Sequence, residues 1–332
     1  MKVIIPLAGK GTRLRPHTHA TPKPLIRVAG KEVLGHILDK IIPLNVTEVY
    51  FIVGHLHDQI EEYVRKSYPN LKFKTIKQDE LKGTAHAVAQ ARDHIDEDVL
   101  IIFADTLFEA DLSVIKRLSD DIDGIIWAKA VENPQIYGVI EHNEQGLMHK
   151  IMEKPEDPKS NLVNIGMQYL RDSASLFAAI DYVLNQEPGP RGEYFLTDAL
   201  QYMVDGGAKI KIEEVDAWLD CGNVEELLKT NLHLLNSGLA KKPNGNSINV
   251  KVTDPVMVAE DAILENVEIG PNVTIESGCN ITGSKISNSI IGQGSIIDGA
   301  VLHDSLIGAE AVVRDVDGSL NVLDHSVVIG RK

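Results

Sequence analysis

The last quarter of the chain repeats itself. Ile269, Ile275 and Ile281 are six residues apart, as are Ile291 and Ile297, and Ile307 and Val313. The fourth residue after the aliphatic is compact in most units: Val273 in IGPNVT, Cys279 in IESGCN, Ser295 in IGQGSI and Ala311 in IGAEAV. A six-residue period matches neither the helical 3.6 nor the strand's 2. It is the hexapeptide period of a parallel β-helix, in which each coil stacks its aliphatics on the next because it cannot bury them alone. Steps of ten, from 281 to 291 and from 297 to 307, break the period and predict short loops or an extra turn. The segment 248–332 has no Phe, Tyr or Trp; every aromatic residue precedes it.

Between the two compositions lies KKPNGNS (Lys241–Ser247), a Pro/Gly/Asn run that reads as a linker. The 332 residues are therefore expected to form two domains, 1–240 and 248–332. The first alternates apolar runs with amphipathic stretches. Lys2–Leu7, Glu48–Val53 and Asp98–Ala104 read as buried strands, and Val33–Ile42, Asp58–Lys66 and Thr84–Asp93 as helices. That alternation implies an α/β sheet with helices on both faces, and in such sheets ligands bind beyond the carboxyl ends of the strands. The loops after Leu7 and Phe103 are where chemistry is expected.

Lys plus Arg number 33 against 48 Asp plus Glu, a net charge of −15. So acidic a chain is a poor general binder of nucleic acid or anionic membrane, and a polyanionic substrate must be met by a local cluster of cations. Two cysteines, Cys221 and Cys279, make no disulfide framework and fit a reducing compartment. The apolar run at the N-terminus is too short for a signal peptide, and a cytoplasmic protein is expected.

That cluster is found directly after the first strand, in Leu7-Ala8-Gly9-Lys10-Gly11-Thr12-Arg13. Gly9 and Gly11 let backbone amides approach phosphate with no Cβ in between, and Arg13 offers a bidentate fork to phosphate oxygens. Ten residues on, Lys23 stands between Pro22 and Pro24. The run is not a P-loop, since no G-K-[ST] opens a helix, and not the dinucleotide G-x-G-x-x-G, since Leu14 takes the third glycine's place. His17 and His19 lie in the same stretch and are expected to be solvated loop histidines rather than a metal clip.

The string L-A-G-x-G-T-R-L followed by P-K-P-L resembles the sugar-1-phosphate nucleotidylyltransferases, and most of all their longer glucose-1-phosphate thymidylyltransferases, along nearly the whole chain. The resemblance implies a Rossmann-like domain with a mixed sheet, followed by a left-handed parallel β-helix. It implies a nucleotide-binding loop of Leu7, Ala8, Gly9, Gly11 and Thr12, with Arg13 on the β- and γ-phosphates and Lys23 neutralising the triphosphate. Gln78, with Gly83 in LKGTAHAV, would read the base. Tyr137 and Gly138 in IYGVIE, Glu153 and Lys154 in Glu-Lys-Pro, Asn164 with Gly166, and Arg191 with Glu193 in PRGEYFLTDAL would line the sugar-phosphate pocket. Asp105, preceded by Ala104 where the family usually has glycine, and Asp220 in Trp218-Leu-Asp-Cys-Gly would be the carboxylates for Mg²⁺.

The chemistry so implied joins two polyanions, which requires positive charge where negative charge gathers; Mg²⁺ suits one or two carboxylates plus substrate phosphates. Lys154 would hold the sugar phosphate in line and bridge to the α-phosphate. A sugar phosphate is already ionised, so no nucleophile–base pair is called for, and Cys221 is expected to be a packing residue. The resemblance points to dTTP and glucose 1-phosphate, with UTP and N-acetylated sugars as alternatives. Two other classes compete: an acyltransferase housed in the β-helix, where His303 and His325 are the only histidines, and a regulatory relative that binds without turnover. The intact set Arg13, Lys23, Asp105, Lys154 and Asp220 argues for the enzyme. The β-helix, with its flat stacking faces, is expected to mediate homo-oligomerisation.

Overall fold

The structure is a computed structural model and describes residues 1–9, 11–54, 56–189, 192–243 and 247–331. The chain divides into two compact units: one holds Met1–Lys10 and Ile37–Trp218, the other Gly11–His36 and Leu219–Lys332. The segment carrying Arg13 and Lys23 thus belongs with the C-terminal part of the chain. The grouping depends on contacts between residues hundreds of positions apart, such as His17 with Asn321.

The first unit is built on a mixed sheet. Lys2–Pro6 lies parallel to Glu48–Val53 on one side and Val99–Ile102 on the other, and Phe73–Lys77 extends the parallel part. The nine-residue strand Leu162–Leu170 then runs antiparallel to Val99–Ile102 and to Gly124–Ala130. Strand runs such as VIIP and VLII are apolar along their length because both faces are covered. The expected helices form over Val33–Ile41, His57–Ser67 and Thr84–Ala89. The last is shorter than Thr84–Asp93 and passes into a 3₁₀ turn at Arg92–His94. Trp127, Tyr50 and Phe51 are the largest fully buried side chains, each worth about 2–3 kcal/mol of apolar burial.

Pairing along Leu162–Leu170 is irregular where the site residues fall. Asn164 opposes Ala128 and Gln168 opposes Ile126, so extra residues are inserted between them, with Gly166 at φ 80°. A bulge of this kind re-aims side chains that a regular strand would bury.

The second unit contains the β-helix, and its register explains the broken hexapeptide period. Ile275, Ile291 and Ile307 are successive partners, as are Ile281, Ile297 and Val313, so these coils take sixteen residues, whereas Val258 to Ile275 takes seventeen and Ile307 to Val322 fifteen. The steps of ten are not loops. They hold a third strand, at Ile286 and Leu302, that pairs in the same parallel stack. In the sixteen-residue coils one corner spans six residues, Ile275 to Ile281, and the other two span five, Ile281 to Ile286 and Ile286 to Ile291. The compact column is the inside of the six-residue corner: Ala262, Cys279, Ser295 and Ala311 are all buried. Ser295 satisfies its hydroxyl there by donating to the Gly308 carbonyl at 2.9 Å. Asn249, Asn266, Gly283, Gly299 and Asp315 recur at another corner with positive φ, a conformation that Gly, Asn and Asp tolerate best. No helix among the described residues is long and apolar enough to cross a membrane.

Candidate functional site

In the first unit the loop after Lys2–Pro6 starts where expected. Leu7 N donates to the Ile52 carbonyl at 2.7 Å, and Gly54 packs so closely that a Cβ there would lie 3.0 Å from the Ala8 carbonyl oxygen. Gly9 has open space around it, as a phosphate cradle needs. Gln78 is buried with its Nε2 2.9 Å from His86 Nδ1. His86 is held below the ordinary imidazole pKa by burial, with Lys82 adding to the effect, so it stays neutral. Gly83, at φ 99°, lies against the chain at Tyr194, where an added Cβ would be 2.6 Å from the Tyr194 nitrogen. Thr84 Oγ1 accepts from Leu196 N at 2.8 Å, and Tyr194 N donates to the Lys82 carbonyl at 2.8 Å. The candidate base-reading loop and the loop carrying Glu193 are thus stitched together.

The residues expected at the sugar phosphate converge in this unit. A Cβ on Gly138 would lie 3.0 Å from Thr197 Cγ2, 3.2 Å from Glu153 Oε2 and 3.7 Å from Asn164 Cβ. Asn164 Oδ1 accepts from Gly166 N at 2.9 Å, and the Gly166 carbonyl accepts from Phe103 N at 2.9 Å, two residues before Asp105. Asp105 is exposed on the turn that leaves the strand Val99–Ile102, with Ala104 buried behind it. Lys154 adopts φ 45°, rare for a residue with a side chain; strain of this kind concentrates where geometry serves function. Its Nζ is 3.4 Å from Glu153 Oε1 and 5.7 Å from the Phe195 ring centroid. Tyr137 meets Trp218 edge-on at 5.0 Å, and Trp218 Nε1 is buried without a hydrogen-bond partner.

Sequence reasoning missed Thr197 and Asp198. Thr197 Oγ1 donates to Glu153 Oε2 at 3.3 Å. Asp198, whose side chain still reaches solvent, has its carboxyl held above the ordinary pKa by burial and by the Glu153 charge. Both stand in the first turn of Leu196–Asp205, inside the run PRGEYFLTDAL, which was the available signal. Arg191 lies outside the described residues.

The second unit holds the other half of the expected residues. Gly11, at φ 59°, starts the 3₁₀ turn Thr12–Leu14; a Cβ on it would lie 2.9 Å from Thr18 Cγ2 and 3.1 Å from Lys23 Cβ. The loop is therefore folded onto the Pro-Lys-Pro segment. Thr12 and Arg13 are exposed, and Lys23 is half-buried at the head of the turn Lys23–Leu25. Asp220 Oδ1 accepts from Gly222 N at 2.6 Å. A Cβ on Gly222 would be 2.7 Å from both that oxygen and Arg13 Nη2, so glycine leaves the space over its bare backbone to the guanidinium and the carboxylate. Cys221 beside them is buried, as a packing residue should be. His17 departs from expectation: it is 5 % exposed and bonded to Asn321, not solvated. Its partner is 304 residues away, beyond any local sequence signal.

Comparisons with known proteins bear on the family and the fold. Residues 2–237 match the family described as Nucleotidyl transferase. The bifunctional protein GlmU of Methanococcus maripaludis strain C5 is 36% identical over 265 residues, covering 79% of this chain and 61% of GlmU; the chain therefore spans about three fifths of that relative. The UTP–glucose-1-phosphate uridylyltransferase AglF of Haloferax volcanii is 34% identical over 68% of this chain and 93% of its own length. The low-salt glycan biosynthesis nucleotidyltransferase Agl11 of the same organism is 30% identical over 96% of both. A UDP-glucose pyrophosphorylase solved with UDP-glucose shares the fold with a TM-score of 0.63, 24% identity, and coverage of 71% of this chain and 98% of that one. The chain belongs to the nucleotidyl transferase family.

Proposed function

We propose that the protein transfers a nucleotidyl group from a nucleoside triphosphate to a sugar 1-phosphate. An oxygen of the sugar phosphate forms a bond to the α-phosphorus, the α–β bridging bond breaks, and pyrophosphate leaves with the electron pair. The observation that carries this reading is the gathering of Arg13 and Asp220 over Gly222, with Lys23 behind the Gly11 turn, in a chain of net charge −15. Arg13 and Lys23 would receive the departing pyrophosphate. Lys154, braced by Glu153, would hold the sugar phosphate, and the unpartnered Trp218 N–H would serve a sugar hydroxyl.

Asp105 and Asp220 fit Mg²⁺ by donor chemistry, being hard oxygen ligands. Among the described residues no three His, Cys, Asp or Glu side chains could hold a metal by themselves, so phosphate oxygens would have to complete the shell. When bound, the ion would offset the charge of the two phosphates.

We propose a pyrimidine triphosphate and glucose 1-phosphate as substrates. The motifs of the chain point to dTTP; UTP is favoured by the likeness to AglF. The two nucleotides differ in a methyl and a ribose hydroxyl, and a methyl alone discriminates by about 10- to 200-fold. The test is pyrophosphate release with Mg²⁺ across four nucleoside triphosphates and the 1-phosphates of glucose, galactose and N-acetylglucosamine. Turnover above background with a pyrimidine triphosphate and glucose 1-phosphate supports the reading. Absence of release in every combination overturns it.

We also propose that the β-helix associates with a second copy of itself. Ile263, Ile296 and Val327 occupy register-matched outward positions and are exposed. Light scattering on Ile296→Asp is expected to show a lower oligomeric state; an unchanged assembly refutes the contact.

A further inference from the structure

The segment Gly11–His36 carries both candidate phosphate-binding cations, yet little in it can hold itself in place. It consists of the 3₁₀ turns Thr12–Leu14, His17–His19 and Lys23–Leu25, then a ribbon of two-residue strands, Arg27–Val28 and Lys31–Glu32, before the helix begins. Short 3₁₀ turns hydrogen-bond poorly, and an isolated two-stranded ribbon is marginal in water. Its position is set by what it packs against.

Within its unit, what it packs against is the C-terminal part of the chain, at points on either side of Lys23. Asn321, in the strand Asn321–Val322 of the β-helix, donates from Nδ2 to the Arg15 carbonyl at 3.3 Å. A carbonyl only accepts, so this bond fixes the amide's orientation and turns Oδ1 toward His17, whose Nε2–H donates to it at 2.7 Å. The next residue, Thr18, is buried and donates its hydroxyl to the Gly11 carbonyl at 2.8 Å. The same carbonyl accepts from Leu14 N at 3.0 Å, closing the turn that presents Arg13. One side chain of the β-helix is thereby connected through three contacts to the backbone of the arginine turn.

Beyond Lys23 the Arg27 guanidinium meets Glu276 Oε2 at 2.9 Å, with the Glu276 side chain only 3 % exposed, and it also bonds Glu32 and the Gly30 carbonyl. Ala29 N donates to Asn231 Oδ1 at 2.9 Å, and the same oxygen accepts from Thr274 Oγ1 at 2.7 Å. Asn231 and Thr274 are both fully buried. A buried carboxylate paired with one arginine is a costly arrangement for stability alone, because an apolar pair of similar volume would serve as well or better. It does fix the guanidinium, and with it the chain four residues after Lys23.

We propose that Asn321 and Glu276, both in the β-helix, are positioning residues for Arg13 and Lys23: the repeat domain is the base on which the triphosphate-binding segment is set. This rests on the nucleotidyl-transfer reading above. The test uses full-length Asn321→Ala and Glu276→Gln. Each is expected to raise the KM for the nucleoside triphosphate by about three- to tenfold, the scale of one lost hydrogen bond, while the KM for sugar 1-phosphate stays unchanged. Amide hydrogen exchange should speed up across 11–30 and stay slow across 256–313. An unchanged triphosphate KM in both variants of an active enzyme, or an equal rise for both substrates, overturns the proposal. If Glu276→Gln does not fold, Asn321→Ala, at an exposed position, decides alone. If the unmodified protein turns over no substrate, the functional reading fails by itself, and unaltered exchange across 11–30 in the variants then refutes the positioning role.

Discussion

At the residue scale, two glycines of nearly equal φ separate backbone freedom from close approach. Gly83 and Gly207 have φ of 99° and 98°, yet a Cβ added at Gly207 would meet nothing within 4 Å, whereas Gly83 lies against the Tyr194 backbone. Alanine at Gly207 should cost about 1–3 kcal/mol from conformation alone. Gly83→Ala should cost more, because the stitched loops must part, and should also lower kcat/KM; paired denaturant melts and turnover assays check both. Lys154 gives the opposite pattern. Its ion pair with Glu153 is half-exposed and worth about 0–1 kcal/mol, so Lys154→Met should leave stability nearly unchanged. It should reduce kcat/KM for sugar 1-phosphate about 10- to 100-fold, as expected for losing a charged hydrogen bond. Gly11 was legible in the sequence, because a glycine beside Thr-Arg directly after a buried strand marks a place where a Cβ would intrude. Asp198 and His17 were not. A carboxylate in a first helical turn and a histidine in a polar loop look ordinary until the tertiary partners, Glu153 and Asn321, are known.

At the scale of elements, the strands were legible wherever burial on both faces made them almost wholly apolar, as in Glu48–Val53 and Val99–Ile102. The β-helix was legible for the same reason that its period was misjudged. In these coils every side keeps a buried aliphatic at each end, but only one side repeats the hexapeptide spacing, so Ile275 to Ile281 and Ile291 to Ile297 stood out. The third face carries just two paired residues per coil, as at Lys285–Ile286 and Val301–Leu302, too short for a pattern to declare itself. The inside of the six-residue corner makes a chemical prediction. Burial pushes the Cys279 thiol up to about 12, and its Sγ donates to the Gly292 carbonyl at 3.1 Å. With so little thiolate at neutral pH, Cys279 should resist alkylation in the native protein and react only after the coils open. Mass spectrometry of iodoacetamide-treated protein with and without urea checks this, and labelling of Cys279 under native conditions would contradict the packing described.

For the whole molecule, each unit has a histidine shielded from solvent, His17 buried in one and His86 partly buried in the other, and the two should act together on acid stability. His17 in one unit and His86 in the other are both held below the ordinary imidazole value of 6.5, in each case chiefly by burial. Unfolded, each imidazole takes up its proton more readily than when folded, so the unfolded chain binds more protons in the window just below pH 6.5. The stabilisation is complete above that value and is lost as pH falls through the folded pKa. Glu276 and Asp198 work in the other direction. Burial holds both carboxyls above their ordinary values, so their ionisation costs stability at neutral pH, and that cost is relieved as they protonate in acid. The acid limb is therefore a difference of two effects, and removing the histidines should expose the carboxyls. From pH 7.5 to 5 the urea midpoint of the unmodified protein should fall, and in His17→Gln/His86→Gln the fall should flatten or reverse. The double variant isolates the imidazoles because neither glutamine titrates. An acid limb as steep in the variant as in the parent would place the proton-linked instability elsewhere.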